Sequence, residues 1–221
     1  RCRLVGSEMC IRDRINPTDL ILVDSGGQYL EGTTDVTRTI IKGRALKGQK
    51  FLYTKVLQGL ICLSKLRWPA GLTGKELDPL ARHFLWEHCL DYDHGTGHGV
   101  GVFSNVHQGP QGITRVNTVP LKPGMILSIE PGFYLEGKLG IRLENLVYIK
   151  GIRGHFRQKK EFYEFETLTL APFEKNLIEK KLLSRDELIW LNSYHRNVYQ
   201  KLSPFLGQTE KTWLRDTCKI L

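Results

Sequence analysis

Four carboxylates and several histidines stand where strands end or glycines crowd. Asp24 directly follows the aliphatic run Ile21-Leu22-Val23, and Asp35 lies eleven residues later in the β-branched stretch Thr33–Ile41. A hairpin turning through Leu30-Glu31-Gly32 brings both carboxylates to one end of its sheet. Taken singly, each acid reads as a turn or capping residue. Taken together after apolar strand residues, they admit metal ligation, because a carboxylate is costly to bury without a partner. The octet His94-Gly95-Thr96-Gly97-His98-Gly99-Val100-Gly101 has four glycines, and its two histidines have no apolar face to pack on. Neutral imidazole is a common ligand of first-row metals. His107 follows in Asn105-Val106-His107-Gln108. Glu130 closes a strand in Ile129-Glu130-Pro131-Gly132. In Ile141-Arg142-Leu143-Glu144-Asn145, Arg142 and Glu144 share a face, because strand side chains alternate. A lone Arg-x-Glu is also an ordinary surface pair. Hard carboxylate oxygens with imidazole suit Mn²⁺, Co²⁺, Zn²⁺ or Fe²⁺. Two such ions sharing bridging carboxylates activate water for hydrolysis.

The elements that must position these residues can be read from the pattern. Ile21-Leu22-Val23 predicts a strand ended by Asp24-Ser25-Gly26-Gly27, and Thr33–Ile41 its antiparallel partner. Apolar spacing predicts a helix from Phe51 to Leu66, stopped at Trp68-Pro69-Ala70-Gly71. Thr73 with Glu76 three residues on is a capping box, opening a helix that runs to about Leu90. A Gly- and His-rich loop is expected from Asp93 to Gly112. Strands follow at Met125–Glu130, Gly140–Lys150 and Phe165–Leu170, and the chain beyond Glu174 reads as helical. Strands and helices mix without a βαβ rhythm, so the fold class is α+β.

Composition removes other readings. The formal charge of +9 comes in short blocks, so nucleic acid is not expected as a partner. No apolar run approaches the ~18 residues a membrane span needs, so no membrane role is expected. The five cysteines are scattered and never form CxxC, which fits a reducing compartment and a cytoplasmic location. Residues 1–14 lack the charge-then-apolar order of a signal peptide and match nothing downstream. Codons for Glu8–Asp13 can spell a string resembling a transposon-end sequencing adapter. Residues 1–14 are therefore expected to be a non-native leader on a fragment whose own N-terminal part is missing.

Beyond these local readings, Asp24-Ser25-Gly26-Gly27-Gln28-Tyr29 with Gly32-Thr33-Thr34-Asp35-Val36-Thr37-Arg38-Thr39 resembles the Xaa-Pro aminopeptidases (aminopeptidase P). The HGTGHGVG octet, Ser128-Ile129-Glu130-Pro131-Gly132-Phe133-Tyr134 and Gly140-Ile141-Arg142-Leu143-Glu144-Asn145 match in order and spacing. So do Phe165–Pro172 and Trp190–His195, the latter resembling the helical C-terminal extension of longer cytosolic members. The resemblance covers residues 15–221. It implies the partial pita-bread fold, with a catalytic domain over 15–160 and the extension over 161–221.

The resemblance also implies a two-metal centre, Mn²⁺ first and Zn²⁺, Co²⁺ or Fe²⁺ as alternatives. Asp24, Asp35, His98, Glu130 and Glu144 are then the metal ligands, with Asp35 and Glu144 bridging. Asp24 completes one ion, and His98 and Glu130 the other. His94, His107, Tyr134 and Arg142 match substrate-binding positions, and Glu130, His107 and His94 are the candidate catalytic residues. The implied reaction is hydrolysis of an N-terminal Xaa-Pro bond by a metal-bridging hydroxide, in a homodimer acting on peptides with proline second. A prolidase cutting Xaa-Pro dipeptides is the alternative within the enzyme class, and a non-catalytic pita-bread binding module the alternative outside it. A partial fold of this kind is expected to leave sheet edges unpaired and apolar surface exposed.

Overall fold

The computed structural model describes residues 14–152 and 160–221. The proposed leader, apart from Arg14, lies outside the described residues. An N-terminal hairpin, β1 (Leu20–Tyr29) and β2 (Gly32–Ile41), is followed by α1 (Lys47–Ser64), β3 (Arg67–Pro69) and α2 (Gly74–Trp86). Short strands β4 (Gly97–His98) and β5 (Gly112–Ile113) precede β6 (Ile126–Ile129), β7 (Gly132–Leu135) and β8 (Leu139–Arg142). Then come β9 (Asn145–Ile152), β10 (Phe162–Thr167), two 3₁₀ turns, and the helices α3 (Arg185–Leu202) and α4 (Gln208–Thr217).

The main sheet is antiparallel, in the order β3-β10-β9-β6, and β1-β2, β4-β5 and β7-β8 form separate two-stranded ladders. Leu57, Leu60 and Ile61 of α1 and Leu77, Ala81 and Leu85 of α2 are buried in one core with Leu127, Ile129, Val147, Ile149 and Trp68 of the sheet. Each large apolar side chain buried this way contributes about 1.5–3 kcal/mol. The core thus fixes the sheet whose strand ends carry Glu130 and Glu144.

Local chemistry moves several boundaries. β1 does not stop at Asp24 but continues through Gly26 and Gly27 to Tyr29, because the ladder runs on (Asp24↔Thr37, Gly26↔Asp35) and the Gly27 N–H donates to Thr34 Oγ1 at 3.0 Å. The Thr73–Glu76 capping box forms as expected. α2 ends earlier than Leu90, where Cys89 takes φ 56° and the Leu90 N–H turns back to the Leu85 carbonyl at 3.1 Å. The Trp68-Pro69 stretch is strand β3 rather than a plain stop, and β10 begins at Phe162 rather than Phe165. The expected loop 93–112 contains β4 and ends at β5, so His98 sits on a strand.

The strand expected over Gly140–Lys150 is broken in two. β8 pairs with β7, β9 pairs with β6 and β10, and Leu143-Glu144 lie in the break. There the Glu144 N–H donates to the Thr37 carbonyl at 3.0 Å. Among the described residues β1 pairs only with β2, and Val23, Tyr29 and Leu30 are exposed. Helix α3 buries Leu191 and Val198 in the same core and leaves Ile189 exposed.

Candidate metal centre

The hairpin register alone sets the first half of the site. Residues directly opposite one another in an antiparallel pair share a face, and alternate residues of one strand share it too. Asp24 faces Thr37 and Gly26 faces Asp35, so Asp24, Asp35 and Thr37 project from one face of the ribbon. The second half comes from the ends of the core strands. Glu130 follows β6, Glu144 precedes β9, and His98 is on β4, which crosses β6 through a Gly99↔Leu127 bridge. The crossing is tight enough that a Cβ on Gly97 would lie 1.9 Å from the Ser128 carbonyl oxygen, so only glycine fits there.

The five expected ligands converge. Donor atoms of Asp24, Asp35 and Glu144 lie within 4.8 Å of one another, and so do those of His98, Glu130 and Glu144. His98 Nε2 is 3.3 Å from Glu130 Oε1 and 3.5 Å from Asp35 Oδ2. Arg142 donates to Asp24 Oδ2 at 2.5 Å and lies 3.7 Å from Glu130, so the outer acids have a basic partner. Glu144 has none: it is 1% exposed, and its Oε1 has no hydrogen-bond partner among the described residues. Its other oxygen accepts the Thr37 hydroxyl at 2.7 Å.

Crowding and burial appear in the ionisation of the site. Burial, reinforced by the charges of Glu130 and Asp35, pushes the Glu144 carboxyl up to about 8. Burial also raises Glu130, against the pull of His98. Burial by itself would lower His98, but its bonds to Asp35 and the Gly99 carbonyl lift it to about 8. A carbonyl only accepts, so His98 Nδ1 carries the proton that binds the Gly99 carbonyl at 3.0 Å. Nε2 is thereby the nitrogen turned toward the carboxylates: without metal it carries a proton shared among them, and once that proton leaves its lone pair faces a cation, as a metal-binding histidine requires. A buried carboxylate oxygen without a partner, four clustered acids and an imidazole nitrogen turned among them fit divalent cations.

A cleft of about 480 Å³ opens over this floor, lined by Asp24, His94, His98, His107, Tyr134 and Arg142 among others. On its wall His94 Nδ1 donates to the Gly95 carbonyl, leaving Nε2 to accept the Tyr134 hydroxyl at 2.9 Å. Tyr134 in turn accepts from Arg142 at 3.0 Å. Gly132 makes room for this phenol, since a Cβ there would lie 2.7 Å from its oxygen. Burial lowers His94, consistent with a neutral ring, and raises the Tyr134 phenol. His107, expected as a substrate-binding and catalytic residue, comes within reach of the ligands themselves. It meets the His98 ring edge-on at 4.2 Å and offers a nitrogen within 4.8 Å of donors on Asp35 and His98.

Three supporting residues escape a search for ligands. Thr37 holds Glu144, Ser128 donates to Glu130 Oε1 at 3.1 Å and accepts the His98 N–H at 3.0 Å, and Asp78 accepts the Thr96 hydroxyl at 2.6 Å. Thr37 and Ser128 each lie two residues before or after an acid on the same strand face, a signal that period-two counting offers.

Carboxylates held this close around a turned imidazole define a site for divalent ions, of the kind that can activate water. Comparison with known proteins narrows it. Residues 6–151 match metallopeptidase family M24 and residues 161–221 match the C-terminal region of peptidase M24; the chain belongs to metallopeptidase family M24. Its fold is the pita-bread fold that the sequence resemblance implied. It is 46% identical over 213 residues to a probable Xaa-Pro aminopeptidase P of Talaromyces marneffei, covering 94% of this chain and 32% of that one. A probable Xaa-Pro aminopeptidase P of Botryotinia fuckeliana is 48% identical over 206 residues, covering 90% and 32%. Among solved structures, an X-prolyl aminopeptidase from Caenorhabditis elegans, described as a cytosolic enzyme with a di-nuclear active site, superposes with a TM-score of 0.86 at 40% identity, over 91% of this chain and 33% of that one. A prolidase from Pyrococcus furiosus gives 0.57 at 35% identity, over 62% and 40%. The chain spans about a third of the length of the curated relatives it matches.

Proposed function

We propose that this chain carries the catalytic centre of an aminopeptidase that hydrolyses the bond between an N-terminal residue and a following proline. The observation that carries the reading is the convergence of Asp24, Asp35, His98, Glu130 and Glu144 around the unpartnered Glu144 oxygen. These five would hold two divalent ions; a carboxylate-rich set with one imidazole favours Mn²⁺. When bound, the ions polarise the scissile carbonyl and acidify water, giving a nucleophile near neutral pH.

The chain's own groups do the rest. Burial makes Glu130 a stronger base, suited to take a proton from the attacking water and pass it to the proline nitrogen. That nitrogen has no N–H of its own and must be protonated to leave. His107, beside His98 at the cleft mouth, is placed to donate to the developing oxyanion. His94, Tyr134 and Arg142 form a hydrogen-bonded wall for the proline ring. The open Asp24 side of the cleft receives the free α-amine, which makes the enzyme an exopeptidase. The match of residues 161–221 to the family's C-terminal region supports an aminopeptidase over a prolidase, and retention of every ligand supports an enzyme over a binding module. A cytoplasmic homodimer completes the reading.

The test is metal analysis of the purified enzyme with hydrolysis of an Xaa-Pro-Pro tripeptide, an Xaa-Pro dipeptide and an N-acetylated tripeptide. About two ions per chain and cleavage of the free tripeptide alone are expected. Preference for the dipeptide makes it a prolidase, and no metal with no cleavage overturns the reading.

A further inference from the structure

Arg38 is 8% exposed, yet among the described residues it makes no ion pair with any carboxylate. Its guanidinium is satisfied by neutral acceptors on two sides. Toward the metal centre, Nη1 donates to the Thr37 carbonyl at 2.9 Å and to the Glu144 carbonyl, and Nη2 donates to Asn145 Oδ1 at 2.7 Å. Toward the C-terminal region, Nε donates to the Pro172 carbonyl at 3.1 Å, and Nη2 donates to the Ala171 carbonyl at 2.7 Å and the Tyr194 hydroxyl of α3 at 3.1 Å. The plane of the group lies 4.2 Å from the Phe173 ring centre.

The residues on the first side are not arbitrary. Glu144 sits in the β8–β9 break, where no strand ladder fixes its backbone, and Thr37 is the residue whose hydroxyl holds its carboxylate. Arg38 grips the carbonyls of both. On the second side it is gripped by a segment more than 130 residues away in the chain. We propose that Arg38 is a positioning residue of the metal centre, which transmits the placement of the C-terminal segment 171–173 and α3 to Glu144. The role needs the planar fork: a Lys ammonium keeps the charge but cannot reach acceptors on both sides in one plane. The proposal rests on Glu144 being a metal ligand, as read above.

The test compares Arg38→Lys and Tyr194→Phe with the parent holoenzyme, stripped and titrated with Mn²⁺ alone by calorimetry, at a temperature where circular dichroism shows each protein folded. Partners that orient metal ligands change affinity by about 10–100-fold. Arg38→Lys is expected to bind Mn²⁺ at least about 10-fold more weakly, and Tyr194→Phe to show a smaller loss of the same sign. A merely structural residue would lower the melting temperature of the stripped protein and leave the affinity of the folded form within twofold; that result overturns the proposal. If Arg38→Lys does not fold, Tyr194→Phe decides alone by the same measure. A parent that binds no Mn²⁺ overturns the metal reading, and the proposal with it, and is told apart by failing before any variant is compared.

Discussion

Thr37 and Glu144 hold one another twice: the Thr37 hydroxyl donates to the Glu144 carboxylate at 2.7 Å, and the Glu144 N–H donates to the Thr37 carbonyl at 3.0 Å. The second bond sets the backbone and the first turns the side chain, so one carboxylate oxygen is occupied and the other has no hydrogen-bond partner among the described residues.

Thr37→Val keeps the shape and the backbone bond but removes the hydroxyl. Metal affinity is expected to fall about 10-fold or more while the fold persists. Unchanged affinity in a calorimetric titration would show that Glu144 needs no orienting donor.

Asp35→Ala and Glu144→Ala are each expected to abolish two-metal binding and turnover together. Elemental analysis and peptide hydrolysis on the same preparation check this, and an active Asp35→Ala enzyme would defeat the reading of the site.

His107→Ala separates two roles. As an oxyanion donor its loss leaves both ions in place and lowers kcat by about 10²–10³-fold. Loss of one ion per chain would instead make His107 a ligand, which its nearness to Asp35 and His98 allows.

Asp78 and Arg82 form a buried pair at 2.7 Å, and Arg82 also donates to the Tyr92 and His94 carbonyls at 2.6 Å. Asp78→Ala takes away one of two carboxylates on Arg82, leaving Asp91 at 2.8 Å, and is expected to cost about 1–3 kcal/mol in denaturant melts. A change below 1 kcal/mol would mean that the pair is not desolvated in solution.

His195 is fully buried, accepts the Phe173 N–H on Nε2 at 3.1 Å, and is held down to about 4 by burial, with Lys175 and Arg38 adding to it. In the unfolded chain it titrates near 6.5. Between these values the unfolded state binds the extra proton, so stability falls as pH drops from about 6.5 to 4, by up to ~3 kcal/mol. His195→Gln should flatten that limb of the stability curve. A parallel curve would assign the acid sensitivity to other groups.

Much of the site was legible because its residues carry their chemistry in their type. Asp24, Asp35, His98, Glu130 and Glu144 lie at strand ends or among glycines, and period-two counting put Arg142 and Glu144 on one face, where both reach Thr37. What escaped the reading depends on pairings distant in sequence. No local pattern says that β1 runs past Asp24, because the residues sustaining it are on β2. None says that Gly140–Lys150 breaks at Glu144, since each half takes a different partner strand. Arg38 reads as a strand residue like its neighbours until the C-terminal segment closes over it.

The outer strand of the hairpin gives the site a separable jaw. Asp24 rides on β1, which is half open to solvent, whereas Asp35 on β2 is tied through Thr37 and Arg38 to Glu144 and the C-terminal segment. Edge ribbons open at lower free energy than a core does. If β1 peels, Asp24 departs while the other four ligands stay. Cation escape and amide exchange along β1 then become one event seen by two clocks, and the lifetime of the loaded enzyme is set by how often that clasp springs.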